Sequence, residues 1–393
     1  MRIERVKLSN FRNLDEISVA VSPRINILLG RNGQGKTNFL EGLSYLALGK
    51  SWRGGRDREL IRFEEDFCHI SVEGRDEHGD EFELEAALSR DGKKRIKIDG
   101  QLIERQADLV GHLSVVRFDP DEVELAKGSP DHRRRFLDYT LSLGTSDYFR
   151  SLLDYRRVVA QKNRLLRSRA RGLDAQLDAW DVELIETGAP LLGARREVMG
   201  DLERHTREAY EELAPAGGRL SLRLDSTVVT TEGTSQEEIK ETFAQTLHAA
   251  RARELQMGHS LVGPHRDRLE VHLRGRSLRR YGSQGEKRSA SIALKLAQGE
   301  WLFEHTRERP AVLLDDIFSE LDRTRTHALQ RRLHREHQLF IATARIDDVI
   351  GMRGWDGLKA WSVQDGLLEE IDILDDAVLD AQREALATRN GEA

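Results

Sequence analysis

The chain has 393 residues, of which 38% are hydrophobic and 33% are charged, so it has the length of about two or three domains and can bury a sizeable core. Its formal net charge of −6 argues against wholesale attraction to nucleic acid or anionic lipid, so any nucleic-acid contact must use a local basic patch. Cys68 is the only cysteine, which excludes an internal disulfide framework and multi-cysteine metal sites. The N-terminus has no apolar signal segment and no apolar run has the length of a membrane span, so we expect a cytoplasmic protein without a membrane partner.

The N-terminal region carries the clearest motif. Alternating apolar residues from Arg2 to Leu8 and from Ile17 to Val21 predict a hairpin, and Ile25–Leu29 predicts a short buried strand. The strand leads into Gly30-Arg31-Asn32-Gly33-Gln34-Gly35-Lys36-Thr37, and an amphipathic helix follows. A strand, the pattern G-x-x-x-x-G-K-T and a helix are together the context that a phosphate-binding P-loop requires.

Each part of this loop has a physical role in binding a phosphate. Glycines let the backbone turn with positive φ and bring N–H groups against the phosphate, and the helix N-terminus adds partial positive charge. We expect Lys36 to contact the β- and γ-phosphates of ATP and the Thr37 hydroxyl to bind Mg²⁺. A glycine-rich turn that happens to carry a lysine is the alternative, but both flanks fit the motif.

The rest of the first third predicts a β-rich lobe. A basic loop with a short helix, Ser51–Ile61, precedes three alternating strands at His69–Val72, Phe82–Leu88 and Arg95–Ile98. Gly-Asp or Asp-Gly turn signals separate them, and Val115–Phe118 predicts a last strand.

Long helices follow from about Ser129 to Ala209. The pattern predicts one helix over Tyr148–Arg171, a second over Leu173–Gly188 and a third that begins at Pro190, which suggests a helical arm or short coiled coil. The first helix carries many cations: Arg156, Arg157, Lys162, Arg164, Arg167, Arg169 and Arg171. Such a run is usually a solvated helix face, but an excess of one sign with almost no acidic partners favours nucleic-acid binding.

Strands are again predicted at Leu220–Val229 and Leu269–Leu273, with a helix at Glu237–Met257 between them. The final residues, 375–393, predict a frayed helix or a disordered tail.

An acidic motif and a second glycine-containing motif indicate which type of nucleotide site the chain has. Val312–Asp316 is an apolar strand that ends in two acids. Asp315 would hold Mg²⁺ through water, and Asp316 would polarise the attacking water. The predicted catalytic residues are therefore Asp316, Lys36 and Asp315. Upstream, Ser283-Gln284-Gly285 begins an apolar-periodic helix and forms a further anion cradle, which we call the signature turn. A plain capping box of Ser283 and Glu286 is the simpler interpretation, and both can hold together.

Two further stretches match ABC ATPases. Ile317-Phe318-Ser319-Glu320-Leu321-Asp322 matches their D-loop, and the predicted strand at 336–344 has Thr343 where such ATPases place a switch residue, commonly His. In ABC-type heads the P-loop and the signature turn lie on opposite lobes of one subunit. A closed site therefore requires two heads face to face, which predicts an ATP-dependent homodimer that hydrolysis releases.

Together these residues resemble the RecF family, which is related to the SMC and ABC ATPases. The matching blocks are Leu8–Leu14, the P-loop with Asn38-Phe39-Leu40-Glu41, Lys127–Pro130, Arg133–Asp138, Leu261-Val262-Gly263-Pro264-His265-Arg266-Asp267, the signature turn and Leu314–Asp322. The resemblance implies an α/β ABC-type (SMC-like) P-loop ATPase head of mixed sheet and helices, formed by residues 1–120 and 262–393, with an inserted helical arm at 121–261.

The resemblance also implies a function. A RecF-type protein binds double-stranded and gapped DNA in an ATP-dependent manner at gaps or stalled forks and cooperates with RecO and RecR to load RecA where single-strand-binding protein is in the way. It would be cytoplasmic, nucleoid-associated and a weak, DNA-stimulated ATPase, a switch rather than a motor. Asp316 stands where transport ATPases have a glutamate one methylene longer, which predicts looser water positioning and slow turnover.

Some positions stay open within this resemblance. Arg53 resembles the arginine that follows the P-loop helix in SMC heads and reaches the nucleotide, and a DNA-facing or solvated Arg53 is the alternative. The signature continues with Glu286-Lys287-Arg288 where many relatives carry Gln, and no Gln follows Val115–Phe118 as a Q-loop residue.

Two other classes of protein fit less well. A transporter subunit predicts a small helical insert, a catalytic glutamate and a switch His, whereas this chain has a long basic helical stretch, Asp316 and Thr343. A small-molecule P-loop kinase would lack the signature turn and the D-loop.

Overall fold

The structure is a computed structural model that describes residues 1–120, 123–168, 172–231, 233–334, 337–350, 352, 355–373 and 375–387. The strands, in chain order, are β1 (Arg2–Phe11), β2 (Leu14–Ala20), β3 (Ile25–Leu29), β4 (Phe67–Arg75), β5 (Glu81–Ser89), β6 (Lys94–Ile98), β7 (Gln101–Leu102), β8 (Val115–Phe118), β9 (Leu220–Asp225), β10 (Arg268–Leu273), β11 (Arg276–Ser277), β12 (Ala311–Asp315), β13 (Leu339–Thr343), β14 (Leu358–Gln364) and β15 (Leu367–Ile371). The helices are α1 (Lys36–Leu48), α2 (Val123–Lys127), α3 (Pro130–Gly144), α4 (Ser146–Ser168), α5 (Asp174–Leu213), α6 (Gln236–Met257), α7 (Leu278–Tyr281), α8 (Gln284–Thr306), α9 (Arg323–His334), α10 (Ile346–Ile350) and α11 (Asp376–Ala387).

The chain forms two compact units. The first comprises Met1–Glu122 and Leu302–Ala393, and the second comprises Val123–Trp301. The first boundary lies beside the predicted one at 120/121, whereas the second lies inside α8 rather than at 261/262. The functional division into head and arm stays a prediction, because a compact unit is not by itself a functional domain.

The antiparallel sheet of the first unit has the strand order β2-β1-β4-β5-β6-β7. The predicted N-terminal hairpin is confirmed, with Leu8 opposite Ile17. Leu8 also lies opposite Ile70 of β4, and both side chains are buried. Alternation along β1 and β4, interrupted in β1 by a register shift between Ile3 and Arg5, therefore places one apolar face in the core, as the sequence pattern predicts.

The other sheet of the first unit has the order β15-β14-β3-β13-β12-β8, and all its pairings are parallel except that of the edge strand β15. Every residue of β3, β12 and β13 is buried, which is the continuous apolar pattern of a covered parallel sheet. The buried Gln338 amide accepts from the Ile3 N–H at 2.8 Å and donates to the Ile3 and Ser22 carbonyls, each at 2.7 Å, so it joins β1 to the start of β13. The predicted strands at 25–29 and 115–118 are confirmed, and the strand predicted at 312–316 lies at Ala311–Asp315, with Asp316 just beyond it.

The second unit combines the helices α3 to α6 with a three-stranded sheet of order β11-β10-β9. The prediction of separate helices before and after Pro190 is wrong, because α5 continues through this proline. A proline removes one backbone hydrogen bond, but although Pro190 is exposed, its neighbours Ala189, Leu191 and Leu192 are buried, and their packing compensates for the loss. A Cβ atom at Gly188 would lie 2.8 Å from the rings of Tyr155 and Phe243, so the glycine permits this close contact.

Two clusters of buried charges lie within the second unit. In the first, the Arg195 cluster, the guanidinium of Arg195 contacts Asp138 at 2.6 Å and Asp267 at 2.7 Å and donates to the Tyr148 hydroxyl at 3.1 Å. In the second, the Lys162 cluster, the ammonium of Lys162 lies 2.6 Å from Asp181 and 2.7 Å from Glu254. Both cations are buried, so their carboxylate partners replace water.

The end of the described chain is helical. Helix α11 confirms the helical part of the prediction for 375–393, and residues 388–393 lie outside the described residues. None of the helices in the described part of the chain is both long and apolar enough to span a membrane.

Candidate nucleotide-binding site

One edge of the parallel sheet brings three of the predicted motifs together. Strands β3, β13 and β12 are adjacent and parallel, so their carboxyl ends lie at the same edge. The P-loop follows β3, Thr343 ends β13, and Asp315 ends β12. Ligands of open α/β sheets bind outside these carboxyl ends, so the edge is the candidate site.

The P-loop curls around its own lysine. The Lys36 ammonium donates to the carbonyl oxygens of Gly30 at 2.7 Å and Arg31 at 2.9 Å. Gly35 has φ of 120°, and a Cβ atom there would lie 2.6 Å from a methyl group of Leu14, so only glycine fits this position. Helix α1 begins directly after it, which directs free N–H groups and the positive helix end at the loop. The cradle therefore has the form that a phosphate requires.

The charge of Lys36 is only partly compensated. Burial lowers the pKa of Lys36, and the negative charges of Asp316 and Asp315 oppose that effect without cancelling it. A buried cation with a lowered pKa is stabilised by any further anion that reaches it. The electrostatics of the loop therefore fit a phosphate group.

Thr37 and Asp315 form the contact expected of a magnesium site. The Thr37 hydroxyl donates to an Asp315 carboxylate oxygen at 2.9 Å. The pKa of Asp315 is raised to about 6, mainly by burial and in part by the nearby charge of Asp316, while the Thr37 hydrogen bond opposes the shift. A hydroxyl and a carboxylate beside a phosphate cradle are the oxygen ligands that Mg²⁺ takes in such sites, so these residues fit the ion.

Asp316, the predicted base, has a constrained backbone. Its φ is 49°, in the left-handed region, and its N–H donates to the Ala342 carbonyl at 2.9 Å. The N–H of Ala344 donates to the Asp316 carboxylate at 3.2 Å. These bonds hold the side chain beside the segment that follows β13, and a strained conformation of this kind is characteristic of functional sites.

Thr343 lies at the same edge, with its side chain already engaged. Its hydroxyl donates to Asp348 at 2.8 Å and accepts from the Arg345 N–H at 3.0 Å, while its carbonyl accepts from the Gly30 N–H at 3.2 Å. Thr343 thus connects the P-loop to the start of α10, and its role as a switch residue stays a prediction.

Glu41 is a functional-site residue whose role sequence reasoning missed. It is completely buried on α1 and accepts two hydrogen bonds from the Arg12 guanidinium, at 2.9 and 3.1 Å. Arg53 approaches the same carboxylate at 3.3 Å and donates to the Asn38 amide oxygen at 2.9 Å, and Ser51 also donates to Glu41. The charge of Arg53 lowers the pKa of Asp315, so Arg53 is near this predicted magnesium ligand, while Glu41 orients it. A carboxylate among the apolar residues of α1 was the available sequence signal.

A hairpin that the sequence analysis did not identify forms a wall of the P-loop. It consists of β14 and β15, joined by a tight turn at Asp365-Gly366. The Asp365 N–H donates to the side chain of Gln34, and the Gly366 N–H donates to the Gln34 carbonyl at 3.1 Å. On another side, the Asn13 amide donates to the Gly33 carbonyl at 3.1 Å. The loop is therefore held in shape by neighbours far away in sequence.

The signature turn belongs to the second compact unit. The predicted capping box is present: the Ser283 N–H donates to the Glu286 carboxylate at 2.8 Å, and the Glu286 N–H donates to the Ser283 hydroxyl at 3.2 Å. Ser283 and Gln284 are exposed at the start of α8, with Gly285 beside them. The capped and exposed helix start leaves the anion-cradle interpretation as a prediction.

Asp322, the predicted D-loop residue, caps α9. Its carboxylate accepts from the Arg325 N–H at 2.9 Å and forms an ion pair with the Arg325 side chain. This bond from the Arg325 N–H is the main cause that lowers the pKa of Asp322. The structural role is evident, and a role in nucleotide binding stays a prediction.

The basic run of α4 has more acidic partners than predicted. Lys162 is buried in the Lys162 cluster, Arg156 pairs with Asp138 at 3.0 Å, and Arg157 lies 3.5 Å from Asp154. The expectation of almost no acidic partners is therefore wrong for these three residues. Arg164 is exposed, whereas Arg169 and Arg171 lie outside the described residues.

The second basic cluster, Arg133–Arg135, is also mostly structural. Arg133 is buried and donates to the carbonyls of Leu269 and Gly128, and Arg134 donates to the Asp267 carbonyl at 2.7 Å. Arg135 is the exposed member of the cluster.

Comparisons with known proteins agree with the geometry. Residues 2–361 match the family described as the RecF/RecN/SMC N terminal domain. The protein described as "DNA replication and repair protein RecF" of Halalkalibacterium halodurans is 36% identical over 351 residues, which cover 89% of this chain and 94% of that protein. The RecF protein of Geobacillus thermodenitrificans is 35% identical over 353 residues, with the same coverage of both chains.

Solved structures give the same result. A structure described as the recombination mediator protein RecF with ATPrS in the RecFOR pathway has a TM-score of 0.87 and 29% identity, and the match covers 94% of this chain and 98% of that one. An Smc head bound to the C-winged helix domain of ScpA matches at a TM-score of 0.55 and 16% identity over 94% of this chain and 97% of that one, which concerns the fold alone. The predicted fold class, an ABC-type SMC-like head, is confirmed.

Proposed function

The chain belongs to the RecF family, and from this premise we propose that it is an ATP-dependent DNA-binding protein of replication and recombinational repair. One observation supports the ATP site above others: a buried Lys36 inside a phosphate cradle next to the 2.9 Å contact of Thr37 with Asp315. A solved relative is described as a RecF protein with ATP, and the curated relatives are described as DNA replication and repair proteins.

Different residues of the first unit would bind the phosphates and the magnesium ion. Lys36 and the N–H groups of the P-loop, from Gly30 to Thr37, would hold the β- and γ-phosphates. Thr37 and Asp315 would hold Mg²⁺, which when bound neutralises charge on the phosphate oxygens. Arg53, oriented by Glu41, would add a positive charge to the same group.

Asp316 is the proposed base of hydrolysis. Its carboxylate would accept a hydrogen bond from the attacking water while the Ala344 N–H holds it in place. Because Asp is one methylene shorter than Glu, we expect loose positioning of the water and a low turnover number. Such a protein acts as a switch in which DNA stimulates weak hydrolysis.

The signature turn would complete the site of a second copy of the chain. Ser283 and Gln284 are exposed at a helix start, with half-buried Gly285 beside them, and a γ-phosphate carried by another head would bind there. ATP then joins two heads, with Asp322 and Thr343 near the joint site, and hydrolysis releases them.

The biological role follows from the family. We propose that the dimer forms on double-stranded or gapped DNA at gaps or stalled forks and that it acts with RecO and RecR to load RecA. The support is the description of a solved relative as a recombination mediator of the RecFOR pathway.

Size measurement tests ATP-dependent dimerisation directly. Light scattering is recorded for the chain alone, with MgATP, with duplex DNA and with both, and the mass is expected to double when MgATP is present. Ser283→Arg should keep nucleotide binding and stay monomeric, whereas Ser168→Arg, at another exposed serine, should dimerise like the unmodified chain. A dimer of Ser283→Arg with MgATP would contradict the head-to-head arrangement.

A further inference from the structure

Two asparagine side chains connect the P-loop to Arg53. Asn13, in the turn between β1 and β2, donates from its amide to the Gly33 carbonyl at 3.1 Å and accepts from the Asn38 amide at 2.7 Å. The Asn38 amide oxygen in turn accepts from the Arg53 guanidinium at 2.9 Å. We call this chain of three hydrogen bonds the amide relay. It leads from the backbone of the P-loop, past the start of α1, to the loop after that helix.

The two ends of the amide relay determine the chemistry that its members need. A carbonyl, at Gly33, only accepts a hydrogen bond, and a guanidinium, at Arg53, only donates. Each of the two groups between them must therefore donate on one side and accept on the other. An amide can do this and an ionised carboxylate cannot. Asn13 and Asn38 both meet the requirement, with one direction of donation along the whole relay.

Packing also holds Asn13 against the P-loop. A Cβ atom at Gly35 would lie 3.1 Å from the side-chain oxygen of Asn13, and a Cβ atom at Gly366 would lie 2.1 Å from its carbonyl oxygen. The P-loop on one side and the turn between β14 and β15 on the other therefore approach Asn13 more closely than a larger residue would allow. This packing fixes the end of the amide relay at the P-loop.

Arg53 is the exposed end of the amide relay, with 40% of its side chain accessible. It also donates to Glu41 at 3.3 Å, but Arg12 already holds that carboxylate with two hydrogen bonds, at 2.9 and 3.1 Å. Glu41 carries one negative charge for two guanidinium groups, so it leaves positive charge at Arg53 for a phosphate. The bond from Arg53 to Asn38 is shorter than its bond to Glu41, and it orients the guanidinium toward the start of α1.

We infer that Asn13 and Asn38 are positioning residues of the nucleotide site, which hold Arg53 where its charge reaches the phosphate groups of ATP. Both act through the P-loop and Arg53 and do not themselves bind the nucleotide. The amide relay joins Arg53 to the backbone of Gly33, so the cation and the phosphate cradle keep a fixed distance from each other. Such supporting bonds matter because a displacement of about 1 Å is enough to weaken a binding site. This inference rests on the proposed function, which supplies ATP in the P-loop and Arg53 beside its phosphates.

A double-mutant cycle in the binding of a fluorescent MgATP analogue tests the link between Asn38 and Arg53. Asn38→Ala should weaken binding by about fivefold, and Arg53→Ala by at least as much. In the Arg53→Ala background, Asn38→Ala should have almost no further effect, because the residue through which Asn38 acts is absent. Both single variants should unfold at nearly the same temperature as the unmodified chain, since alanine favours the helix at position 38 and Arg53 is exposed.

A second comparison tests the direction of donation along the amide relay. Asn13→Asp keeps the size of the side chain but cannot donate to the Gly33 carbonyl, so it should weaken binding of the analogue by about tenfold. Asn10→Asp is the matched control, because it adds the same charge in the same turn, where the Asn10 amide donates to Glu65 at 3.2 Å and not to the P-loop. This control should bind the analogue as the unmodified chain does.

The possible results separate the inference from the function that it rests on. If the unmodified chain does not bind MgATP, the proposed nucleotide site is wrong, and the inference is wrong with it. If the unmodified chain binds MgATP and Arg53→Ala binds it equally well, the ATP site stands and the inference is overturned. An equal loss from Asn38→Ala with and without Arg53 would show that Asn38 acts on the P-loop alone, which also overturns it. Equal binding by Asn13→Asp and Asn10→Asp would exclude the predicted direction of the amide relay.

Discussion

The Arg195 cluster and the P-loop both bury a cation beside two aspartates, yet the pKa of the cation shifts in opposite directions in the two regions. Although burial alone would lower it, the pKa of Arg195 is raised well above its usual value by the charges of Tyr148, Asp138 and Asp267. The pKa of Asp138 is lowered, since the charges of Arg195 and Arg156 outweigh its burial, whereas burial raises the pKa of Asp267. At the P-loop the cation shifts the other way: burial lowers the pKa of Lys36, and it raises that of Asp315. The positive charge of Arg195 is therefore stabilised within the chain, whereas that of Lys36 is only partly compensated.

This difference separates structural from functional charges. A guanidinium with carboxylate, hydroxyl and carbonyl partners stabilises the fold, and removing it leaves carboxylates buried without a counter-charge. A lysine whose charge is disfavoured in the free protein gains stabilisation when an anion arrives. The two regions should therefore respond in opposite ways to the loss of their cation.

The largest expected effect is that of Arg195→Met on stability. The variant leaves Asp138 and Asp267 buried beside an apolar side chain, so the free energy of unfolding should fall by about 3–5 kcal/mol. Urea unfolding followed by far-ultraviolet circular dichroism measures the change. Arg196→Met, at the next residue of α5 and half-buried, is the control and should be clearly milder. Equal losses of unfolding free energy in the two variants would contradict a special contribution of the Arg195 cluster to stability.

Lys36→Met should weaken ATP binding and change the free energy of unfolding only slightly. Loss of a charge-assisted contact to phosphate should weaken ATP binding by about 100-fold, measured by titration with a fluorescent analogue. The free energy of unfolding should change by less than about 1.5 kcal/mol, because the lost bonds to Gly30 and Arg31 are offset by relief of a desolvated charge. Lys93→Met, at an exposed turn, should leave both quantities unchanged. A stability loss as large as that of Arg195→Met would remove the contrast between the regions.

The contrast also explains which features sequence reasoning predicts well. Strand β3 and the start of α1 follow from local apolar periodicity, so they match the structure closely. The charge of Lys162 groups it with the candidate nucleic-acid-binding cations of the helix, although it lies seven residues after Tyr155 and four before Leu166, on the buried stripe of α4. Periodicity was the better guide there, because buried carboxylates from α5 and α6 compensate the charge.

Other features depend on contacts that no local pattern contains. Arg12, in the turn between β1 and β2, and Arg53, in the loop after α1, meet at Glu41 only because the fold brings these separate segments together. Helix α5 continues through Pro190 because packing outweighs a local breaker. The P-loop motif was visible from its own residues, whereas the walls of the loop, Asn13 and the turn at Asp365-Gly366, come from distant parts of the chain.

The two regions should also give opposite pH dependence of stability. Burial lowers the pKa of His265, in the second unit, to about 4, and the charges of Arg266 and Lys162 add to this effect. The unfolded chain takes up a proton near pH 6.5 while folded His265 stays neutral, so its contribution is complete above pH 6.5 and is lost as the pH falls toward 4. The loss between pH 7 and pH 5 should be about 2 kcal/mol.

Asp315 acts in the other direction. Its raised pKa means that the folded chain keeps a proton that the unfolded chain releases, so its contribution to stability falls as the pH rises from about 4 to about 6. Urea unfolding of His265→Gln and Asp315→Asn at several pH values separates the two slopes of the unfolding free energy against pH. Each variant should remove one slope and keep the other, and a variant that changes neither would contradict the assignment.

The smallest expected effect concerns DNA and applies the same contrast within one helix. Lys162 and Arg164 are two residues apart on α4, but Lys162 is enclosed by carboxylates and Arg164 is exposed. Arg164→Glu should therefore leave the fold intact, weaken duplex-DNA binding by about tenfold or less and make the logarithmic salt slope shallower by about one unit. Arg157→Glu is the matched control, because the pairing of Arg157 with Asp154 already neutralises part of its charge.

If Arg164→Glu binds DNA as the unmodified chain does, the DNA surface lies elsewhere, and Arg135, the exposed member of the Arg133–Arg135 cluster, is the next cation to reverse. In either case the choice follows from the same physical criterion: a cation can release counterions from DNA only if its charge is not already satisfied inside the protein.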